Sequence, residues 1–264
     1  PSTIMHNTWH RIKSYLRHVF CAKTSRGDGV HSPFVFSFIT DVKNEKNPYY
    51  AYTPIEQIRQ NLLNDKTLLH TTDYGTGGSR TRSVSDIAKK SLKSRKQAQL
   101  LFRMVKAYQP AVIFDLGTCL GTTTLYLAQG NKQATVHSFE GCPQTASIAQ
   151  TNFSNAKCSN IQLHIGNLDD TLPQVLQQVD GLDFVFFDAN HQKQPTLQYF
   201  NQCIAKANKN GIFVFDDIHW SEGMEQAWEI VKQHPKVTTS IDLYHMGILF
   251  FNPELKPATY RIKL

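Results

Sequence analysis

The chain is poor in cysteine, and its cysteines follow no disulfide or metal-binding pattern. Cys21, Cys119, Cys142, Cys158 and Cys203 are scattered over 264 residues, odd in number and never spaced as C-x-x-C. This spacing excludes a disulfide scaffold and a cysteine zinc site and favours a reducing compartment. The sequence also lacks a secretory leader and an apolar run long enough to cross a bilayer. We therefore expect a cytoplasmic protein without a membrane span.

Acidic residues are scarce in the first part of the chain. Residues 1–110 contain 18 Lys and Arg against 7 Asp and Glu, whereas residues 111–264 contain 10 against 14. The densest basic stretch, residues 80–106, has nine basic residues and one acid, Asp86. Such a stretch is either a solvated helix face or a patch that binds RNA phosphates. We favour the solvated face, because no aromatic residue lies between Tyr74 and Phe102 to stack on a base.

The most informative stretch is Ala111 to Leu127, which reads AVIFDLGTCLGTTTLYL. An apolar run ending at Asp115 predicts a buried parallel strand. Gly117 and Gly121 frame a tight turn before a helix, the arrangement that brings backbone N–H groups up to a nucleotide-like ligand. Glu140 ends the next apolar run, where a carboxylate can accept hydrogen bonds from both hydroxyls of a ribose.

The remaining sequence repeats the alternation of strand and helix. Further strands are predicted at residues 161–165 and in the runs that end at Asp188 and Asp216, with helices at residues 143–155, 171–179, 195–207 and 221–234. The runs at residues 237–243 and 247–251 predict an antiparallel hairpin. The sequence therefore predicts an α/β fold with a doubly wound, Rossmann-like sheet that closes on a C-terminal hairpin.

The order DLGTCLG, SFE, FDANH, FDDIHW resembles the class I S-adenosylmethionine-dependent methyltransferases over roughly residues 92–252. The resemblance implies a seven-stranded sheet and S-adenosyl-L-methionine as cofactor. It assigns cofactor binding to the glycine loop, the acidic strand ends and the residues beside the adenine: Asp115, Gly117, Thr118, Cys119, Gly121, Glu140, Asn167, Leu168 and Asp188.

The N-terminal third is predicted to be a helical extension or lid over residues 1–91, preceding a methyltransferase domain over residues 92–264. Trp9, Ile12, Leu16, Val19 and Phe20 recur at helical spacing with basic residues between them. This basic amphipathic helix either lies on a membrane or docks on its own domain, and we favour docking. A second glycine-rich segment, at residues 73–79, either covers a ligand or links two helices.

Three carboxylates are expected at neighbouring strand ends, namely Asp188, Asp216 and Asp217. Together they would repel one another unless a hard cation such as Mg²⁺ joins them. The stretches FDANH and FDDIHW resemble the catechol O-methyltransferase-like branch, which implies that Asp188 and Asp216 are metal ligands. Asp217 stands where that branch has asparagine. His191 stands where it has a lysine base, and His219 is the competing base.

The preferred function is O-methylation of a small hydroxylated acceptor, aromatic or sugar-like, with Asp188, His191 and His219 as catalytic candidates. Two alternatives stay open. One is a tRNA or rRNA methyltransferase that uses the basic N-terminal third, and the other is a cofactor-binding scaffold without catalysis. The sequence does not identify the acceptor, the metal or the oligomeric state, and a homodimer is one option.

Overall fold

The computed structural model describes residues 2–22, 24–73 and 78–263. In chain order, the α-helices of this described part are α1 Ser2–Cys21, α2 Pro33–Ser37, α3 Tyr52–Asn64, α4 Val84–Ser91, α5 Arg95–Tyr108, α6 Thr122–Gly130, α7 Pro143–Asn155, α8 Leu168–Leu176, α9 Lys193–Ala205 and α10 Glu222–Val231. A short π-helix at Phe38–Lys43 follows α2 directly. The strands are β1 Leu68–Asp73, β2 Gly78–Ser83, β3 Val112–Leu116, β4 Thr135–Glu140, β5 Ile161–Ile165, β6 Leu182–Phe187, β7 Ala207–Asp216, β8 Thr239–Asp242, β9 Met246–Phe250 and β10 Ala258–Arg261.

The chain divides into two compact units, which are described separately. The first unit comprises residues 1–44 and 181–264, and the second comprises residues 45–180. The boundary predicted between residues 91 and 92 falls inside the second unit, directly after α4. That boundary stays a prediction.

In the second unit, β3 pairs in parallel with β4, and β4 pairs in parallel with β5. Residues 113–116 of β3 are buried, as expected for a strand covered on both faces. Helix α5 begins with a capping box between Ser94 and Gln97 and buries its apolar face. Among its described residues, the core of this unit includes one cluster around Phe102, Tyr126 and Phe153 and another that contains Leu120.

In the first unit, β6 and β7 are parallel, and the antiparallel β9 lies between β7 and β8. The last strand, β10, pairs in parallel with β8. Helix α10 packs Trp228 onto this sheet, where its ring occupies the space that a side chain at Gly247 would need. The predicted strands are therefore present as β3 to β9 in the predicted order, and β10 is an additional strand.

The predicted α/β class with a mostly parallel sheet and a C-terminal hairpin is confirmed. The predicted helical extension is helical in α1 to α4, but it also contains the antiparallel hairpin of β1 and β2. Residues 74–77, the centre of the glycine-rich segment at residues 73–79, lie outside the described residues. Among the helices of the described part, none combines the length and the apolar character needed to cross a membrane.

Candidate active site

The loop after β3 is held in an unusual backbone conformation. Gly117, Cys119 and Gly121 have φ values of 122°, 50° and 84°. The backbone N–H groups of Gly117 and Thr118 both donate to the carbonyl oxygen of Phe139, at 3.2 and 2.9 Å. Gly121 then caps α6, which places the N-terminus of that helix directly after the loop. The loop is thus tied to β4 and followed by a helix start, which favours a bound ligand with negative or polar groups.

Asp115 is completely buried at the end of β3. Its Oδ2 accepts hydrogen bonds from the hydroxyls of Thr124 and Ser138, at 2.6 and 3.0 Å. Burial outweighs these hydrogen bonds and raises the pKa of Asp115 to about 6. Its other oxygen, Oδ1, and the buried hydroxyl of Thr122 have no hydrogen-bond partner among the described residues. Two buried polar atoms beside the glycine loop therefore remain available to a ligand.

Glu140 joins the glycine loop to the start of α7. Its Oε2 accepts from the backbone N–H of Cys119 at 2.8 Å, and its Oε1 accepts from the backbone N–H of Cys142 at 2.9 Å. Burial raises the pKa of this carboxyl, against the opposing effect of the backbone N–H groups. Each oxygen of a carboxylate has a second lone pair, so Glu140 can still accept two hydroxyl hydrogen bonds.

The predicted adenine-side residues begin α8. The side chain of Asn167 accepts from the backbone N–H of Asp169 and caps the helix. Leu168 is buried as the first residue of α8. These contacts fix the loop after β5. The predicted role of both residues at the adenine stays a prediction.

In the first unit, the ends of β6 and β7 bring together a group of Asp188, His191 and Asp216. One ligand atom of each lies within 4.8 Å of the others. Nε2 of His191 is 3.5 Å from Oδ1 of Asp188, and Asp216 is almost fully buried. His191 is part of a tight turn, with a φ of 24° and a hydrogen bond from its N–H to the carbonyl of Ala189. We refer to these three side chains as the acidic-imidazole group.

The predicted metal set of Asp188, Asp216 and Asp217 differs from this group by one member. His191, predicted as a base, is a member, whereas Asp217 is not among the atoms brought within 4.8 Å in the part of the chain that the structure describes. Asp217 has a φ of 51°, and its N–H donates to the carbonyl of His245 at 2.6 Å. Two carboxylates and one imidazole are suitable ligands for a divalent cation. The metal and base assignments stay predictions.

His219 occupies a different environment in the same unit. Its Nε2 is 3.0 Å from Oδ2 of Asp242, and its Nδ1 is 3.0 Å from the hydroxyl of Ser14 and 3.8 Å from Oε1 of Glu225. Burial alone would lower the pKa of His219, but Asp242 and Glu225 outweigh it and raise that pKa to about 9. A histidine that is already protonated at neutral pH is a poor general base, so the geometry favours His191 over His219.

This network around His219 was not identified from the sequence. Asp242 also lies 3.2 Å from Nδ1 of His18, and Glu225 pairs with His10 and Arg17 at 3.0 and 3.2 Å. No local motif joins these residues, since they come from α1, α10 and β8. Only the absence of acids in α1 and its repeated histidines hinted at a partner with negative charge.

The basic stretch at residues 80–106 is partly neutralised within its own unit. Arg82 and Lys90 both pair with Asp86, at 3.1 and 2.8 Å, and Arg95 pairs with Glu56 at 3.1 Å. Arg103 is buried, and its guanidinium lies 3.4 Å from the hydroxyl of Tyr52. Part of the positive charge of this stretch is therefore paired within the described residues, and the choice between a solvated face and an RNA-binding patch stays a prediction.

Comparison with known proteins supports the same family. A family described as a methyltransferase domain matches residues 114–218, which contain the glycine loop, Glu140 and all three members of the acidic-imidazole group. The resemblance to the methyltransferases is confirmed. A catechol O-methyltransferase from Mycobacterium tuberculosis is 28% identical over 127 residues, which are 47% of this chain and 56% of that protein. The chain therefore spans little more than half the length of this curated relative.

Solved structures show the same fold. The O-methyltransferase from Bacillus cereus in complex with SAH is 19% identical, with a TM-score of 0.58, covering 82% of this chain and 96% of that one. The O-methyltransferase TomG from Streptomyces achromogenes, in complex with SAM and involved in tomaymycin synthesis, is 18% identical, with a TM-score of 0.58, covering 83% and 94%. At these identities the likeness concerns the fold alone.

Proposed function

We propose that this chain is an S-adenosyl-L-methionine-dependent O-methyltransferase that acts on a small hydroxylated acceptor. The observation that supports the cofactor best is the Glu140 carboxylate, which the backbone N–H groups of Cys119 and Cys142 hold beside the glycine loop. Catechol O-methyltransferase activity in a relative favours an aromatic diol as the first acceptor class to test.

The residues of the second unit fit the cofactor. Glu140 has lone pairs for the ribose hydroxyls, and Asp115 Oδ1 and Thr122 Oγ1 are buried polar atoms able to meet the methionine end. When bound, S-adenosylmethionine supplies a methyl group on a positively charged sulfur. The protein then has to hold and orient the reactants and exclude water.

Acceptor activation is assigned to the acidic-imidazole group. His191 removes the hydroxyl proton, and Asp188, 3.5 Å away, orients the ring and stabilises the imidazolium that forms. In the alternative, Asp188, His191 and Asp216 would hold a divalent cation, which would lower the pKa of the hydroxyl in place of proton removal by His191. Among the described residues, none of the five cysteines forms a disulfide, which supports a reducing, cytoplasmic setting.

The test is calorimetric titration with S-adenosylhomocysteine, followed by methyl transfer to a panel of catechols and sugar-like alcohols. Wild type should bind, and Glu140→Ala should lose about 1.5–3 kcal/mol of binding free energy, because it removes hydrogen bonds to a charged group. Glu254→Ala, which removes an exposed carboxylate in the first unit, is the matched control and should bind as wild type does. If S-adenosylhomocysteine does not bind the wild type, the proposal is refuted. If it binds but no acceptor is methylated, the alternative of a cofactor-binding scaffold without catalysis is favoured.

A further inference from the structure

Helix α1 turns its polar side chains toward the body of the first unit. Ser14 and His18 are buried, although they come from an amphipathic helix. Ser14 contacts Nδ1 of His219 at 3.0 Å, and His18 Nδ1 lies 3.2 Å from Asp242. The hydroxyl of Tyr244 donates to the carbonyl of Arg11 at 2.8 Å. The polar face of α1 is therefore the face that docks.

The opposite face of α1 exposes a row of large apolar side chains, which we call the apolar stripe. It consists of Trp9, Ile12, Leu16 and Phe20, with exposed fractions of 69%, 49%, 50% and 85%. At 3.6 residues per turn these four positions lie within an arc of roughly 80°. Single exposed apolar residues are ordinary, but a continuous row along a helix marks a binding surface.

The charged side chains of α1 itself, beside the apolar stripe, are all positive. Helix α1 contains Arg11, Lys13 and Arg17 and no Asp or Glu. Trp9, Lys13 and Arg17 line a pocket together with Lys193 and three carboxylates of α10, Glu222, Glu225 and Glu229. Glu225 pairs with His10 and Arg17, and Glu229 pairs with Lys232. Positive charge next to Trp, Phe and Leu is the pattern of a helix that lies in the plane of a membrane surface.

An apolar stripe beside basic side chains distinguishes between three candidate partners: a second copy of the chain, a nucleic acid and a membrane. A second copy of the chain would bring two helices with only positive charges against each other, which is unfavourable. A nucleic acid would match the basic residues but would leave the apolar stripe in water. An anionic bilayer matches both features, because its headgroups attract the basic side chains and its acyl region takes up the apolar ones.

We propose that α1 binds the surface of an anionic phospholipid bilayer through the apolar stripe, with Lys13 and Arg17 at the headgroups. The helix lies along the membrane surface and keeps Ser14 and His18 on the side of its own unit. The proposal does not depend on methyl transfer, since none of the stripe residues belongs to the residues assigned to cofactor or acceptor.

The experiment is co-sedimentation of the full chain with vesicles of phosphatidylcholine alone and of phosphatidylcholine with phosphatidylserine. Wild type should bind the serine-containing vesicles more tightly, and added salt should weaken that binding. The double variant Leu16→Ser, Phe20→Ser should bind about tenfold or more weakly, since two inserted apolar side chains are lost. Lys13→Gln should weaken binding to serine-containing vesicles only.

The matched control is the double variant Leu68→Ser, Ile165→Ser, which removes apolar side chains that are 66% and 52% exposed in the second unit. It should bind vesicles as wild type does. Adenosylhomocysteine binding and the melting temperature report folding of every variant, so failure of the membrane proposal is distinguishable from failure of the proposed function. Should a stripe variant unfold, the salt dependence of Lys13→Gln decides the question.

Three outcomes would overturn the proposal. Wild type that stays in the supernatant with serine-containing vesicles at low salt excludes the membrane. Equal losses in the stripe and control variants show that the helix is not the contact. A lipid-free dimer that becomes monomeric on Leu16→Ser, Phe20→Ser assigns the stripe to a second copy of the chain.

Discussion

The glycine loop gives the sharpest stability prediction, because Gly121 is constrained in two separate ways. Its φ of 84° lies in the left-handed region, and a Cβ there would stand 2.6 Å from Cε1 of Phe153 and 3.1 Å from Cβ of Ala149. Gly121→Ala therefore introduces backbone strain and a steric clash together. The ring of Phe153 is buried in the core of the second unit and has little room to move.

The two effects can be estimated separately. The left-handed conformation costs a non-glycine residue roughly 1–2 kcal/mol. Overpacking a buried site typically costs about 1–3 kcal/mol. The expected loss for Gly121→Ala is thus about 2–5 kcal/mol in the free energy of unfolding, a large share of the stability of a domain. Cofactor affinity should fall with it, since Gly121 sets the start of α6.

Urea denaturation followed by circular dichroism measures the loss. Gly29→Ala is the matched control, because its φ of 74° carries the same strain while nothing lies within 4 Å of the added Cβ. It should lose only about 1–2 kcal/mol. Adding Phe153→Ala to Gly121→Ala should relieve the clash, so the double variant should lose less free energy of unfolding than the sum of the two single variants. A double-mutant cycle measures this coupling. If Gly121→Ala costs no more than Gly29→Ala, the packing around the loop is not as described.

Two further predictions concern the first unit. If the acidic-imidazole group holds a divalent ion, chelator should abolish methyl transfer, and Mg²⁺ or Mn²⁺ should restore it. If His191 instead removes the proton without a metal, methyl transfer should continue in chelator and should be lost in His191→Gln. The control variant His31→Gln, at an exposed histidine, should keep full activity. Because the pKa of His219 is raised from 6.5 to about 9, its contribution to stability is fully present below about pH 6.5 and is lost as the pH rises through 9. That contribution is on the order of 3 kcal/mol. The melting temperature of wild type should therefore fall between pH 7 and 10. An equal fall in His219→Gln would show that His219 is not the group whose titration lowers the stability.

The strands and helices were predictable where their signals are local. Helix α7 begins and ends at the predicted residues 143 and 155, since Pro143 occupies the first turn. Strand β5 also has the predicted bounds. Helix α8 was predicted at residues 171–179 but spans Leu168–Leu176, because the side chain of Asn167 caps it three residues earlier. The same polar residue can cap a helix or bind a ligand, and its residue type does not distinguish the two.

Sites that depend on distant contacts were only partly predictable. Glu140 and Asp115 follow apolar strands, so their places at strand ends could be read from the sequence. The contact between Ser14 and His219 joins residues 205 positions apart, and no spacing rule predicts it. The hairpin of β1 and β2 was missed because its strands are largely polar and exposed, without the alternation that marks a half-buried strand.

The orientation of α1 follows from a competition that an amphipathic pattern alone does not resolve. Turning the helix to bury the apolar stripe would gain roughly 1.5–3 kcal/mol for each fully buried side chain. The same rotation would remove His18 and Ser14 from Asp242 and His219, and each buried polar group left without a hydrogen-bond partner would cost about 1–3 kcal/mol. In the structure α1 makes the polar contacts and leaves the stripe exposed. Burial of the stripe against an external apolar phase would leave those polar contacts in place. The contacts that dock α1 thus leave its apolar stripe exposed, and this is the face that we propose to bind a membrane surface.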